Sequence, residues 1–175
     1  MYMSKLWENI FKIRQKQTDQ IDDILMKIPV FQDLKQGELR KIRHILHQRE
    51  YKKNEVIFNE GDVGLGMYII IGGSVEIVCE PESHILAELG EGDFFGELSL
   101  LDDSPRSASA ITTTPCKIVC FFKPELLDLI DRNPKLGSKI LFKLAWTISE
   151  RLKITNEQLR ELSYSIRKNH KKNQV

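Results

Sequence analysis

Gly92-Asp93-Phe94-Phe95-Gly96-Glu97-Leu98-Ser99-Leu100-Leu101-Asp102-Asp103-Ser104-Pro105-Arg106-Ser107-Ala108-Ser109-Ala110 is the stretch on which the rest of the chain depends. Phe94, Phe95, Leu98, Leu100 and Leu101 are core-seeking, whereas Glu97 and Arg106 are not. Leu98 to Leu101 has room for a single helical turn before Asp102-Asp103-Ser104-Pro105 stops it. Gly96 at the head of that turn lets bare backbone approach another group. Free N–H groups at a helix start favour an anion, and Arg106 can return to the same point with a planar fork of donors. Glu97 accepts hydrogen bonds from hydroxyls and repels a bare phosphate. These parts suit a ligand that carries one phosphate and one sugar hydroxyl.

Working outward, the text from Tyr51 to Phe122 consists of short apolar runs divided by Gly, Asp, Asn and Pro. Strands are expected at Val56–Asn59, Met67–Ile71, Val75–Cys79, Ile85–Leu89, Ser107–Ile111 and Lys117–Phe122, with shorter ones at Arg49–Tyr51 and Gly92–Phe95. Gly72-Gly73 reads as a tight hairpin turn. Many short strands at regular spacing point to a sandwich or small barrel.

Phe95 to Leu100 and Pro105 to Ala108 resemble, position by position, the phosphate-binding cassette of the cyclic-nucleotide-binding domain family. That family includes the bacterial catabolite activator and the regulatory subunit of the cAMP-dependent kinase. The resemblance runs from about Ile28 to Leu162, and takes in the Asn59-Glu60-Gly61-Asp62 turn and the Tyr68–Ile77 hairpin. It implies an α+β fold: an antiparallel jelly-roll-like β-barrel flanked by N-terminal helices and a long C-terminal helix. Residues 1–28 are then an N-terminal helix and 29–132 the cyclic-nucleotide-binding β-barrel domain, with its cassette at 92–110. Residues 133–166 form a long helix for lid and dimerisation, and 167–175 a basic tail.

The resemblance also assigns roles. Arg106 grips the phosphate, with Pro105 and Ala108 framing it, and Glu97 accepts the ribose 2′-hydroxyl. Gly96, Leu98 and Ser99 form the shell around phosphate and ribose. Ser107 can touch the phosphate or the edge of a syn guanine. The bacterial activator carries Ser at this place, which tilts the expected ligand toward cAMP over cGMP. Glu150-Arg151-Leu152-Lys153-Ile154-Thr155-Asn156-Glu157 resembles the activator segment whose Thr-Ser pair covers the base, one residue from each subunit, so Thr155 and Asn156 are base-lid candidates. A second reading stays open, in which Thr155 is a polar seam position and Asn156 is solvated.

The flanks read as helices. In residues 3–27, Leu6, Ile10, Ile13, Ile21, Ile24 and Ile28 recur at helical spacing, with Trp7 and Phe11 as a second apolar pair. This helix is expected to pack on the domain or on a second subunit, because Asp19, Asp22 and Asp23 oppose an anionic membrane surface. Pro29 breaks it, and a second helix follows at about Gln36 to Leu46. Pro124 opens a short helix to about Asp131, and Asn133-Pro134 starts the longest, to about Ser165. There Leu141, Leu144, Ile148, Leu152, Thr155, Leu159, Leu162 and Ile166 keep a three/four spacing, with one stutter between Ile148 and Leu152. Such a stripe calls for a partner helix across a two-fold axis, so a homodimer is expected. The other solution is a helix folded back on its own barrel.

Composition bounds the rest. The 175 residues are 41% hydrophobic with net charge +1, enough for a core and without overall pull toward nucleic acid. Arg167, Lys168, Lys171 and Lys172 concentrate positive charge in a tail expected to be solvated. Cys79, Cys116 and Cys120 are too few and too separated for a disulfide framework and fit a reducing cytoplasm. No apolar run reaches the roughly 18 residues of a membrane span. His44 and His47 lack a third ligand, and a metal-dependent enzyme on a similar roll would need a His/Glu cluster where only His84 lies among the expected strands. No catalytic residues, metal or cofactor are therefore expected. The expected function is a regulatory sensor that binds cAMP or cGMP and signals to a protein effector through its last helix. Sequence-specific DNA binding is not expected, since no helix-turn-helix follows that helix. The alternative is a dimerisation module on the same fold that no longer binds nucleotide.

Overall fold

Alternation of side chains along two central strands builds two cores at once. In the computed structural model, which describes residues 20–79 and 84–172, β3 (Gly66–Gly72) sends Met67, Ile69 and Ile71 to one side and Tyr68 and Ile70 to the other. β8 (Cys116–Phe122) does the same, with Val119 and Phe121 opposed to Cys116, Ile118 and Cys120. Successive strand residues face opposite ways, so a strand that is apolar throughout is covered on both faces.

Six further strands complete two sheets: β1 (His47–Tyr51), β2 (Val56–Phe58), β4 (Val75–Cys79), β5 (His84–Leu89), β6 (Phe94–Phe95) and β7 (Ser109–Thr112). The sheet orders are β1-β8-β3-β6 and β2-β7-β4-β5, with every pairing antiparallel. Interleaving of the strands between two facing sheets is the jelly-roll arrangement. The sheets do not close into one continuous hydrogen-bonded barrel.

The first sheet is covered by helices. A helical segment at 20–25, α1 (Gln36–His44), α2 (Lys123–Arg132) and the first part of α3 (Pro134–Lys172) bury Leu25, Leu39, Ile42, Leu126, Leu136, Ile140 and Leu144, with Phe31 from the turns before α1, against Val119 and Phe121. α1 starts where the Lys35 amide donates to the Glu38 carboxylate, and the same carboxylate takes Lys139 Nζ from α3 at 2.8 Å. Lys143 with Asp33 and Arg43 with Asp22 add further cross-links between these helices and the segments before α1. Asn133 Oδ1 accepts from the Leu136 amide, so the residue between α2 and α3 caps the second helix.

Several boundaries differ from expectation, each for a visible reason. β7 begins at Ser109 rather than Ser107, because the Arg106 amide donates to Asp62 O, the Gly61 amide donates to Arg106 O, and Pro105 bridges Val63. These bonds tie residues 105–106 to the 59–63 turn and hold them out of the sheet. β6 is cut to two residues by a turn in which the Gly90 amide donates to the Asp93 side chain. α1 ends at His44, before β1 begins at His47, so a second histidine lies on a strand. It pairs with Glu125 at 2.8 Å. α3 runs past Ser165 to Lys172, and from Leu152 to Arg167 its residues are all exposed rather than folded back on the sheets. The expected pairing of Trp7 with Phe11, and most of the first helix, lie outside the described residues.

Candidate functional site

Gly96 adopts a left-handed backbone, φ 73°, and starts the single 3₁₀ turn Glu97–Leu100. A 3₁₀ turn holds three residues, so positions three apart share a side. Glu97 and Leu100 therefore point inward and are buried, while Leu98 and Leu101 point outward at 49% and 42% exposure. This corrects the expectation that all the leucines of the stretch seek the core. A Cβ on Gly96 would sit 2.6 Å from Arg106 Nη1, so the glycine is needed both for its φ and for the approach of the arginine.

The turn forms one wall of a 520 Å³ cavity. Gly96, Glu97, Leu98, Ser99, Pro105, Arg106, Ser107 and Ala108 all line it. The strands supply an apolar wall from Phe58, Ile77, Ala87 and Leu89, and Phe94 and Phe95 extend it. Asp102, Ser104 and, from α3, Arg151 complete the rim.

Arg106 is only 6% exposed. Its Nη1 donates to Gly96 O at 3.0 Å and to Ser99 Oγ at 2.8 Å, and its Nη2 donates to Gly66 O at 2.9 Å. All three acceptors are uncharged. Among the described residues no carboxylate lies within ion-pair distance of it, and its buried Nε has no partner. Burial pushes the guanidinium below its ordinary value, opposed by the Tyr68 hydroxyl and then by the more distant Glu97 and Asp62 carboxylates. A guanidinium stays charged in proteins, so this is a buried cation with donor capacity left over. Such a group is costly unless an anion meets it.

Glu97 is the other buried charge of the described chain, at 5% exposure. Its Oε1 accepts from Arg151 Nη1 at 2.7 Å, while Arg151 Nη2 donates to Phe94 O at 3.0 Å. The Arg151 guanidinium also lies over the Phe94 ring, 4.4 Å from its centroid. One side chain of the long helix is thus fastened to the cassette at three points. Thr155 and Asn156, one turn further on, are exposed and do not line the cavity of their own chain; the Thr155 hydroxyl donates to Arg151 O at 3.0 Å. Sequence reasoning missed Arg151, although a buried acid at Glu97 called for a cation and Arg151 lies four residues before the expected lid. It also missed Phe58, whose position depends on how β2 meets the cassette. Among the described residues no group of three or more His, Cys, Asp or Glu could hold a metal ion, and no helix is long and apolar enough to cross a membrane.

Residues 48–133 match the sequence model of the cyclic nucleotide-binding domain. The chain is 30% identical over 148 residues to a CRP-like cAMP-activated global transcriptional regulator of Mycobacterium tuberculosis, covering 83% of this chain and 64% of that one. Among solved structures it is similar to the Thermus thermophilus catabolite activator protein, at TM-score 0.69 and 32% identity over 77% of this chain and 63% of that one. It is also similar to a cyclic nucleotide-binding domain from Methylobacillus flagellatus, at TM-score 0.72 and 27% identity over 82% of each chain. The chain spans less than two thirds of the length of the first two.

Proposed function

Residues 48–133 belong to the cyclic nucleotide-binding domain family, and on that premise we propose that the chain is a regulatory sensor for a 3′,5′-cyclic nucleotide. One observation carries the reading: Arg106 is a buried cation without a carboxylate, lining a cavity beside a buried acid. The cyclic phosphate meets Arg106 and the amides at the head of the 97–100 turn, which such a turn leaves without internal acceptors. Pro105, Ser107 and Ala108 frame it, with Gly96, Leu98 and Ser99 opposite. The ribose 2′-hydroxyl meets Glu97, and the base lies against Ile77 and Leu89. Ser107 tilts the preference toward cAMP over cGMP. The ligand is bound and released without chemical change.

Glu97 is shared between the expected hydroxyl and Arg151, so the ligand acts on the long helix through one carboxylate. Ligand shifts the helix only to the extent that it binds one helix position better than another. Leu152, Leu159 and Leu162, exposed on one face of that helix, suit a second copy of the chain. Thr155 and Asn156 would then cover the base from the partner, and a protein effector would read the change.

Calorimetric titration with cAMP and with cGMP, on wild type and on Arg106→Ala, tests this reading. Micromolar or tighter binding, about −8 kcal/mol or better, is expected for cAMP. Arg106→Ala loses at least tenfold, since charged hydrogen bonds contribute ~1.5–3 kcal/mol each. Absence of heat and of thermal stabilisation with both nucleotides, in folded protein free of copurified ligand, would overturn the sensor and leave a dimerisation module.

A further inference from the structure

Phe58 presents its ring to the Arg106 guanidinium, whose central carbon lies 4.1 Å from the ring centroid. Tyr68 stands on the same cation at 5.4 Å. Phe58, Tyr68 and Phe95 touch one another, with centroids 5.4 to 5.9 Å apart, and Tyr68 and Phe95 are stacked at 13°. The guanidinium therefore rests against a braced aromatic cluster. β2 shifts register against β7 between Val56 and Phe58, the kind of bulge that re-aims a side chain.

A buried arginine ordinarily has a carboxylate to hold it. A carboxylate at this place would fix the guanidinium, but it would also neutralise the cation and repel an incoming anion. An aromatic face attracts the cation through its quadrupole and presents no anionic oxygen. Asp62 and Glu97 are the acids near enough to act on Arg106 electrostatically. Without the ring, only Tyr68 and the three hydrogen bonds to Gly96 O, Ser99 Oγ and Gly66 O hold the guanidinium against the pull of either acid.

Resting on the reading that Arg106 meets the ligand's phosphate, we propose that Phe58 is a positioning residue for the anion site, holding the Arg106 guanidinium in place through its ring face and keeping it free of carboxylates. Phe58 then acts on every cyclic nucleotide alike, because the phosphate is common to all of them. A base contact would instead act on some bases and not others.

The test measures the affinities of cAMP, cGMP and cyclic CMP for wild type, Phe58→Leu and Phe58→Tyr, with melting temperature as a control for folding. Phe58→Leu is expected to weaken all three nucleotides by a similar factor, about tenfold, while Phe58→Tyr stays within about twofold because it keeps the ring. A second readout needs no ligand: the Arg106 Nε–Hε resonance in the nucleotide-free protein. It is expected to be ring-current shifted in wild type and Phe58→Tyr, and to lose most of that shift in Phe58→Leu, where Tyr68 alone remains over the cation. A loss confined to one base, or Phe58→Leu binding as wild type does, overturns the proposal. So does an Arg106 resonance indifferent to Phe58. If wild type binds no cyclic nucleotide, the sensor reading fails by itself, and the resonance still decides whether the ring holds the guanidinium.

Discussion

β3 and β8 each face two cores, and the two differ in kind. On the helix side the strands pack in an apolar cluster that includes Phe31, Leu39, Leu126 and Leu144. Between the sheets the same strands contribute Tyr68 and two cysteines to a second cluster, beside a cavity whose walls hold both buried charges of the described chain. One residue's step along a strand moves from an apolar face to a face beside the two buried charges, where the proposed ligand would offset their cost. Stability and binding are therefore expected to respond separately to neighbouring positions.

The largest expected effect lies on the helix side. Phe121 is fully buried against Phe31, 6.2 Å between ring centroids. Phe121→Ala should lower unfolding free energy by about 3–5 kcal/mol in a urea titration, while the molecules still folded keep their nucleotide affinity. Comparable loss of affinity in the folded fraction would break the division. On the cavity side, Arg106→Ala should remove binding while changing stability by no more than about 1 kcal/mol, because a buried cation without a counter-charge contributes little net stability. Gly96→Ala falls between the two: its φ of 73° and the approach of Arg106 Nη1 should cost about 1–2 kcal/mol together with a drop in affinity.

Cys120, between the sheets, sharpens the comparison through pH. Burial pushes its thiol from 9.0 up to about 11. The folded chain therefore keeps a proton that the unfolded chain loses through this window. The contribution is whole below pH 9.0, declines as pH rises, and is gone above about 11. Urea midpoints at pH 8 and pH 10.5 should differ more for wild type than for Cys120→Ala; an equal difference would remove Cys120 as the cause. The smallest effect is expected outside both cores. Leu159→Ala on the exposed part of α3 should change the stability of dilute protein by less than about 0.5 kcal/mol. Sedimentation at rising concentration then shows whether a second copy covers that face.

Much of this was legible in the sequence, for physical reasons that differ by residue. Gly, Asp and Asn divide the strands because they supply the turns, so the strands appear where the apolar runs are. The cassette was read position by position because it is local: Gly96, Glu97 and Arg106 lie within eleven residues, and all three line the cavity. The outward Leu98 and Leu101 were misread because a 3₁₀ turn and an α-helical turn sort the same letters onto different faces. Arg151 and Phe58 were missed because their approach to the cassette is set by tertiary packing, α3 crossing Phe94 and β2 bulging against β7. The start of β7 was missed for the same reason, since its fraying depends on bonds to the distant 59–63 turn.

Under the proposed ligand-driven shift of the helix, the length of α3 would make the Arg151 grip the short arm of a lever. At ~1.5 Å per residue, the part beyond Arg151 extends about 32 Å to Lys172. If Glu97 and Phe94 act as the fulcrum, a tilt of about 10° there carries the far end about 5 Å, one helical turn. A displacement of that size would be enough to change which side chains meet if a second copy's helix faces it, as proposed.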